Sequence, residues 1–96
     1  MEISEITHNL KELTKKAQLY YSNEVESIIN YNVKDKSRIE ALLDLILDFC
    51  FDKDILLIYK KLVRYYYNID ENAAIFYINA YRVLYMVISE KLMLIK

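Results

Sequence analysis

The chain has 96 residues, of which 55% are hydrophobic and 28% charged, and its charges nearly cancel to a net −1. This size and composition favour one folded domain with its own hydrophobic core and exclude an intrinsically disordered chain. The complete absence of glycine and proline excludes glycine-rich phosphate loops and dinucleotide-binding turns, disfavours tight β-hairpins, and therefore predicts an all-α protein.

The first third of the chain has apolar residues at steps of three and four, which is the spacing of one helix face. We predict one long helix over residues 3–31, with Ser22 and Asn23 as the place where it would break or bend. The stripe consists of Ile3, Ile6, Leu10, Leu13, Ala17, Tyr20, Tyr21, Val25, Ile28 and Ile29.

The middle of the chain predicts a short helical hairpin. Residues 32–36 are polar and form the clearest linker, and Ser37 with Glu40 has the spacing of a capping box. Helix two is therefore expected over residues 38–51. Helix three follows over residues 54–67, with Asp52 or Asp54 as its N-cap.

The last segment is the most apolar, and we expect the rest of the chain to pack around residues 73–92. Asp70 is the expected N-cap of a helix over residues 71–94. At 3.6 residues per turn, Tyr77, Tyr81 and Tyr85 fall at the centre of the buried side. The neighbouring strip borders the polar face and consists of Ile75, Ile78, Arg82, Met86 and Met93.

These elements predict a single domain spanning residues 1–96, folded as an antiparallel four-helix bundle with a short central hairpin. Asn79 and Arg82 interrupt the only segment that approaches the roughly 18 apolar residues of a membrane span, so we expect none. A lone cysteine, Cys50, and an acidic, polar N-terminus without a signal peptide predict a cytoplasmic protein.

Catalytic and metal-binding chemistry has little support in the sequence. The only histidine, His8, has no serine, cysteine or acid at a diagnostic spacing, and Cys50 falls on the apolar face of helix two. A buried cysteine behaves as a small hydrophobic residue rather than as a nucleophile. We therefore expect no enzyme, no cofactor, no metal site and no small-molecule substrate.

Two charged groups on the hairpin have functional alternatives to a solvated surface. Glu40, Asp44 and Asp48 lie four apart on helix two and would serve as a docking strip for a basic partner. On helix three, Lys60, Lys61 and Arg64 would let the hairpin contact nucleic acid. Three cations on a nearly neutral domain are a small electrostatic footprint, so a nucleic-acid-binding regulator is the less favoured alternative.

The apolar excess of the fourth helix favours a protein partner, a homodimer, or both. We predict a non-catalytic protein-binding regulator, adaptor or inhibitor that acts through the strip on helix four. Tyr65 and Tyr67, on either side of an inward-facing Tyr66, join the predicted binding surface because tyrosine is enriched at interface hot spots.

Two further expectations concern the origin and architecture of the chain. The heavy use of Ile, Lys, Asn and Tyr is typical of an AT-rich genome and favours a bacterial, phage or mobile-element source. Size and helix arrangement resemble bacteriocin immunity proteins, which are small four-helix bundles. This likeness is architectural and implies an immunity-like helical bundle as another alternative.

Overall fold

A computed structural model of the chain describes the backbone of residues 3–86 and the side chains of residues 9–85. The described residues form α1 (Ile3–Asn30), α2 (Lys36–Leu47), α3 (Lys53–Tyr67) and α4 (Glu71–Tyr81), and α4 continues into a π-helical turn, Arg82–Met86. The predicted all-α bundle of four helices is confirmed. The predicted last part of helix four, residues 87–94 with Met93, lies outside the described residues.

The central helix is α3, which contacts α1, α2 and α4. Five of its side chains are buried at steps of three and four, so they form one stripe that all three neighbours share. In the described part of α4 only Ala74 and Tyr77 are buried. The expectation that the chain packs around residues 73–92 is therefore wrong for the described part of that segment. The apolar residues of α4 are spread around its circumference, and several remain exposed.

The core joins side chains from all four helices. Ser22 and Asn23 do not interrupt α1. Within the described part of its apolar stripe, Tyr21, Val25 and Ile28 are buried, whereas Leu10 and Leu13 remain 58% and 56% exposed. At about 1.5 Å per residue, the 28 residues of α1 extend well beyond the hairpin. The buried core consists of Tyr21, Val25, Ile28, Ile39, Leu42, Leu43, Ile46, Cys50, Ile55, Tyr59, Leu62, Val63, Tyr66, Ala74 and Tyr77.

The start of α2 differs from the predicted capping box. Asp35, not Ser37, is the N-cap, and its carboxylate accepts from the backbone N–H groups of Ser37 at 3.1 Å and Arg38 at 3.4 Å. Ser37 lies in the first turn instead. Asp35 has the extended backbone of an N-cap, and its negative charge adds a favourable interaction with the helix dipole that serine lacks.

The end of α2 also comes earlier than predicted, at Leu47 rather than residue 51. The N–H groups of Phe49 and Cys50 turn back to the carbonyls three residues earlier, as in a tightened last turn. Asp52 then caps α3 and Asp70 caps α4. The sequence had left Asp52 and Asp54 open, and the structure selects Asp52.

Candidate functional site

A groove of about 490 Å³ lies between α3 and α4. It is much larger than a second hollow, of about 170 Å³, between α1 and α3. Aliphatic side chains and tyrosine rings form most of the surface of this α3–α4 groove. The lining residues are Leu56, Tyr59, Lys60, Val63, Arg64, Tyr67, Asn68, Ile78 and Tyr81.

The α3 wall follows directly from helical spacing. Leu56, Val63 and Tyr67 recur along one side of α3, with Lys60 and Arg64 one turn apart beside them. From Leu56 to Tyr67 the wall runs for about three turns, or roughly 17 Å. The groove therefore has the length of a short helical segment rather than the shape of an enclosed cavity.

Tyrosines fix the floor of the groove. The buried Tyr59 hydroxyl donates to the backbone carbonyl of Tyr77 at 2.8 Å, and the Tyr59 ring lies 6.3 Å from that of Tyr81, centroid to centroid. Burial, and then nearby negative charge, raises the pKa of Tyr59 above its ordinary value. This hydroxyl is therefore a neutral structural tie between α3 and α4.

Two positive charges lie at the edge of the groove. Lys60 and Arg64 are exposed there, and no acidic residue is among the lining residues. Within the described side chains neither cation forms an ion pair. Lys60 and Arg64 are consequently available to a negatively charged partner.

The predicted partner residues are divided among several places. Ile78 and Tyr67 come together in the α3–α4 groove. Ile75 and Arg82 are exposed on α4, one turn before and one turn after Ile78, but do not line the groove. For Met86 only the backbone is described, and Met93 lies beyond the described range.

Tyr65 lies away from the groove. Its hydroxyl donates to the carbonyl of Val33 at 2.6 Å and lies 3.3 Å from Asn32 Oδ1, so this side chain holds the α1–α2 connection against α3. Residues 65 and 67 are about 200° apart around a helix. The structure therefore does not bring Tyr65 and Tyr67 into one binding surface.

The acidic strip is partly engaged in internal hydrogen bonds. The Tyr66 hydroxyl donates to the Glu40 carboxylate, and the Tyr77 hydroxyl donates to Asp44 Oδ1 at 3.0 Å. Burial raises the pKa of both tyrosines, and the neighbouring carboxylates raise it further. Asp48 is exposed. Docking of a basic partner here stays a prediction. Such a partner would have to bind two carboxylates that already accept hydrogen bonds from buried tyrosines.

Sequence reasoning found only Tyr67 on the α3 wall of the groove. It considered Lys60 and Arg64 for nucleic acid, and both are exposed. It did not single out Leu56 or Val63, which border the groove. The sequence contained one indication of this wall: the cations Lys60 and Arg64 are four residues apart, directly beside a row of apolar residues. Periodicity within one helix, however, does not tell which helix lies next to it.

The remaining chemistry of the described residues is sparse. Burial raises the pKa of the Cys50 thiol to about 12, and its Sγ lies 3.5 Å from the Ile46 carbonyl oxygen. Such a thiol is almost fully protonated near neutral pH and is a poor nucleophile. Within the described part of the chain, no three His, Cys, Asp or Glu side chains gather where they would hold a metal ion.

The helices formed by residues 3–86 include none that is both long and apolar enough to cross a bilayer. Comparison of the chain with models of known protein families found no match, and searches among curated proteins and solved structures found none either. The likeness to bacteriocin immunity proteins therefore stays an architectural prediction.

Proposed function

We propose that this chain is a non-catalytic protein-binding regulator, adaptor or inhibitor, and that the α3–α4 groove receives its partner. The observation that carries the proposal is an open apolar groove edged by two cations without ion pairs in the described part of the chain. Aromatic residues and arginine are enriched in protein interfaces. Ile78, Tyr67 and Arg64 supply these side-chain types around a single depression.

The cost of leaving the groove open supports this proposal. Ile78, Tyr81 and Leu56 contribute apolar surface that a partner would remove from water, at roughly 25 cal/mol per Å². The ring of Tyr81 is held by its contact with the buried Tyr59, so little side-chain entropy is lost when a partner binds it. A largely preformed apolar surface of this kind favours binding.

The charges around α3 favour a protein over nucleic acid. A helix-turn-helix places the N-terminal end of its second helix against the bases. In this hairpin that end carries the capping Asp52 and, in the first turn, Asp54, with Asp48 exposed at the end of α2. Three carboxylates at this position oppose the approach of phosphates, so the hairpin is a poor candidate for reading DNA.

Affinity capture with matched variants tests the proposal. The wild-type chain, Ile78→Glu and Leu57→Glu would each be used to capture proteins from the source cell. Both replaced side chains are exposed, at 41% and 58%, but only Ile78 lines the α3–α4 groove. We expect both variants to stay folded by circular dichroism and only Ile78→Glu to lose the partner. Equal capture by all three proteins would contradict the proposal.

A second surface favours self-association. Leu10, Leu13, Ala17 and Tyr20 recur at alternating steps of three and four along α1, which is the seam spacing of a coiled coil. Leu10 and Leu13 are exposed because α1 extends beyond the hairpin, and Tyr20 is exposed because it faces away from the core that its neighbour Tyr21 joins. A second copy of the same helix would cover this seam, so we propose a homodimer formed through α1.

Light scattering across protein concentrations tests the homodimer. We expect the wild-type mass to rise from that of a monomer to that of a dimer, and the double variant Leu10→Glu/Leu13→Glu to stay monomeric while retaining its helical circular dichroism. A wild-type chain that remains monomeric at high concentration would rule out this dimer. The test is independent of the groove, because Leu10 and Leu13 are not among its lining residues.

A further inference from the structure

We propose that the α3–α4 groove binds an amphipathic helix of the partner, with apolar anchors facing the groove and acidic residues facing Lys60 and Arg64. This inference rests on the proposed function and specifies the chemistry of the bound segment. Its basis is the combination of the groove's length, its apolar floor and the sign of the charge along one edge.

The dimensions of the groove fit a helix of about three turns. The α3 wall runs from Leu56 to Tyr67, roughly 17 Å at 1.5 Å per residue. A helix of that length presents three apolar anchors, at positions i, i+3 or i+4, and i+7, to a groove. Leu56 and Ile78 offer aliphatic surface for such anchors, and the rings of Tyr67 and Tyr81 add aromatic surface.

The backbone groups around the groove are already hydrogen-bonded, which favours a helix over an extended peptide as the bound segment. The groove is formed by two helices, whose interior N–H and C=O groups are already paired within each helix. An extended peptide would have no strand edge to pair with, and its own backbone groups would lie unpaired against apolar side chains. A helix pairs its backbone groups internally, so it loses no backbone hydrogen bond by entering the groove.

The sign of the edge charge selects an acidic helix. Lys60 and Arg64 lie one turn apart on the same side of α3, about 6 Å along the helix axis. Two carboxylates one turn apart on a partner helix would match that spacing. Pairs at an interface edge contribute modestly to affinity but strongly to association rate and partner choice. A basic helix would be disfavoured by like-charge repulsion at the same two positions.

A selection from a displayed library of random peptides, each about five helical turns long, tests the inference. The full chain would be the target, beside a charge-reversed variant, Lys60→Glu/Arg64→Glu. We expect the wild-type chain to enrich apolar residues at helical spacing flanked by Asp and Glu. The charge-reversed variant should enrich Lys and Arg at the same flanking positions.

A matched control variant tests whether the position of the charge change matters, apart from its size. Lys11→Glu/Lys15→Glu makes the same change in net charge at two exposed α1 residues with the same spacing, away from the groove. A synthetic peptide of the leading selected sequence would then be titrated by fluorescence anisotropy. We expect the groove variant to bind it roughly tenfold more weakly than wild type, and the control to bind it within about twofold. The difference should shrink at high salt.

The outcomes separate this inference from the proposed function. Enrichment of proline-rich, extended, basic or uncharged sequences would overturn the acidic-helix inference, as would an equal loss of binding in the control. If no peptide is enriched while cellular capture still depends on Ile78, the helix inference fails and the protein-binding proposal stands. If no peptide is enriched and capture is also insensitive to Ile78→Glu, both fail.

Discussion

Asn32 shows how a chain without glycine ends a helix. Its φ of +53° is in the left-handed region, which glycine adopts freely and most other residues avoid. The N–H of Asn32 donates to the Ile29 carbonyl at 3.1 Å, and that of Val33 donates to the Ile28 carbonyl at 2.9 Å. This is the hydrogen-bond pattern of a Schellman motif, with asparagine in the position that glycine usually occupies.

Substitution of Asn32 by valine is expected to lower the free energy of unfolding by about 1–2 kcal/mol, because a β-branched side chain fits the left-handed region poorly. Asn32→Gly should change it by less than about 1 kcal/mol, since relief of strain is offset by greater freedom of the unfolded chain. Urea unfolding would measure both. The control is Asn23→Val, an exposed position inside α1, where only helix propensity changes. Equal losses at the two positions would contradict the motif.

At the scale of elements, aspartates set the start of α2, α3 and α4. Asp35, Asp52 and Asp70 each accept backbone N–H groups two or three residues later. Asp70 also receives the Lys36 ammonium at 3.0 Å, which joins the first turns of α2 and α4. The hydrogen bond from the Ala73 N–H and the contact with Lys36 lower the pKa of Asp70, so this group contributes stability that is lost as the pH falls through that pKa.

Asp52→Ala is expected to destabilise the fold by about 1 kcal/mol more than Asp54→Ala. Both substitutions remove one negative charge near the N-terminus of α3, where the helix dipole favours anions. Only Asp52 also accepts hydrogen bonds, from the N–H groups of Asp54 at 3.1 Å and Ile55 at 3.0 Å. Thermal and urea unfolding would compare the two variants. Indistinguishable losses would mean that charge near the helix end, and not the cap, accounts for the effect.

The number and approximate position of the helices were predictable because local periodicity and capping residues decide them. The packing order was not. Residues 73–92 are the most apolar, yet α3 is the central helix because its apolar residues form one stripe. Ser37 and Asp35 show a similar limit: both are good caps, and two residues separate the predicted from the observed start. Hydrophobic content and capping residues identify the helices. Which helix becomes central, and which of two possible caps is used, depends on the neighbouring helices.

Sequence reasoning found one residue of the candidate site on each helix, Ile78 on α4 and Tyr67 on α3. Ile78 belongs to the strip that angular placement singled out beside the tyrosines, and the structure places it in the α3–α4 groove. Lys60 and Arg64 had been considered for phosphate instead. Their position beside Ile78 and Tyr81 is a consequence of how α3 and α4 cross, which no spacing within either helix encodes.

On the scale of the whole molecule, tyrosine hydroxyls tie the helices together. From α3, Tyr59 donates to α4 and Tyr66 donates to α2; beyond them, Tyr77 and Tyr85 each donate to α2. The Tyr85 bond goes to the Leu47 carbonyl, which also accepts the Cys50 N–H at 3.3 Å in the tightened end of α2. The prediction that the tyrosine row of helix four lies on the buried side is confirmed for Tyr77, while Tyr81 and Tyr85 are half-buried against the core.

These ties make stability sensitive to alkaline pH. Burial raises the pKa of Tyr59, Tyr66 and Tyr77 above the ordinary value of about 10. The unfolded chain therefore loses these protons first, so the stabilisation is complete below about pH 10 and is lost as the pH rises through the raised values.

Tyrosinate absorbance and circular dichroism, recorded together, should show these residues ionising only as helix is lost. Tyr66→Phe should weaken the alkaline loss of stability, whereas Tyr31→Phe, at an exposed position, should not. Ionisation of every tyrosine near pH 10 with the helices intact would contradict this account, because the buried hydroxyls would then be free to become charged.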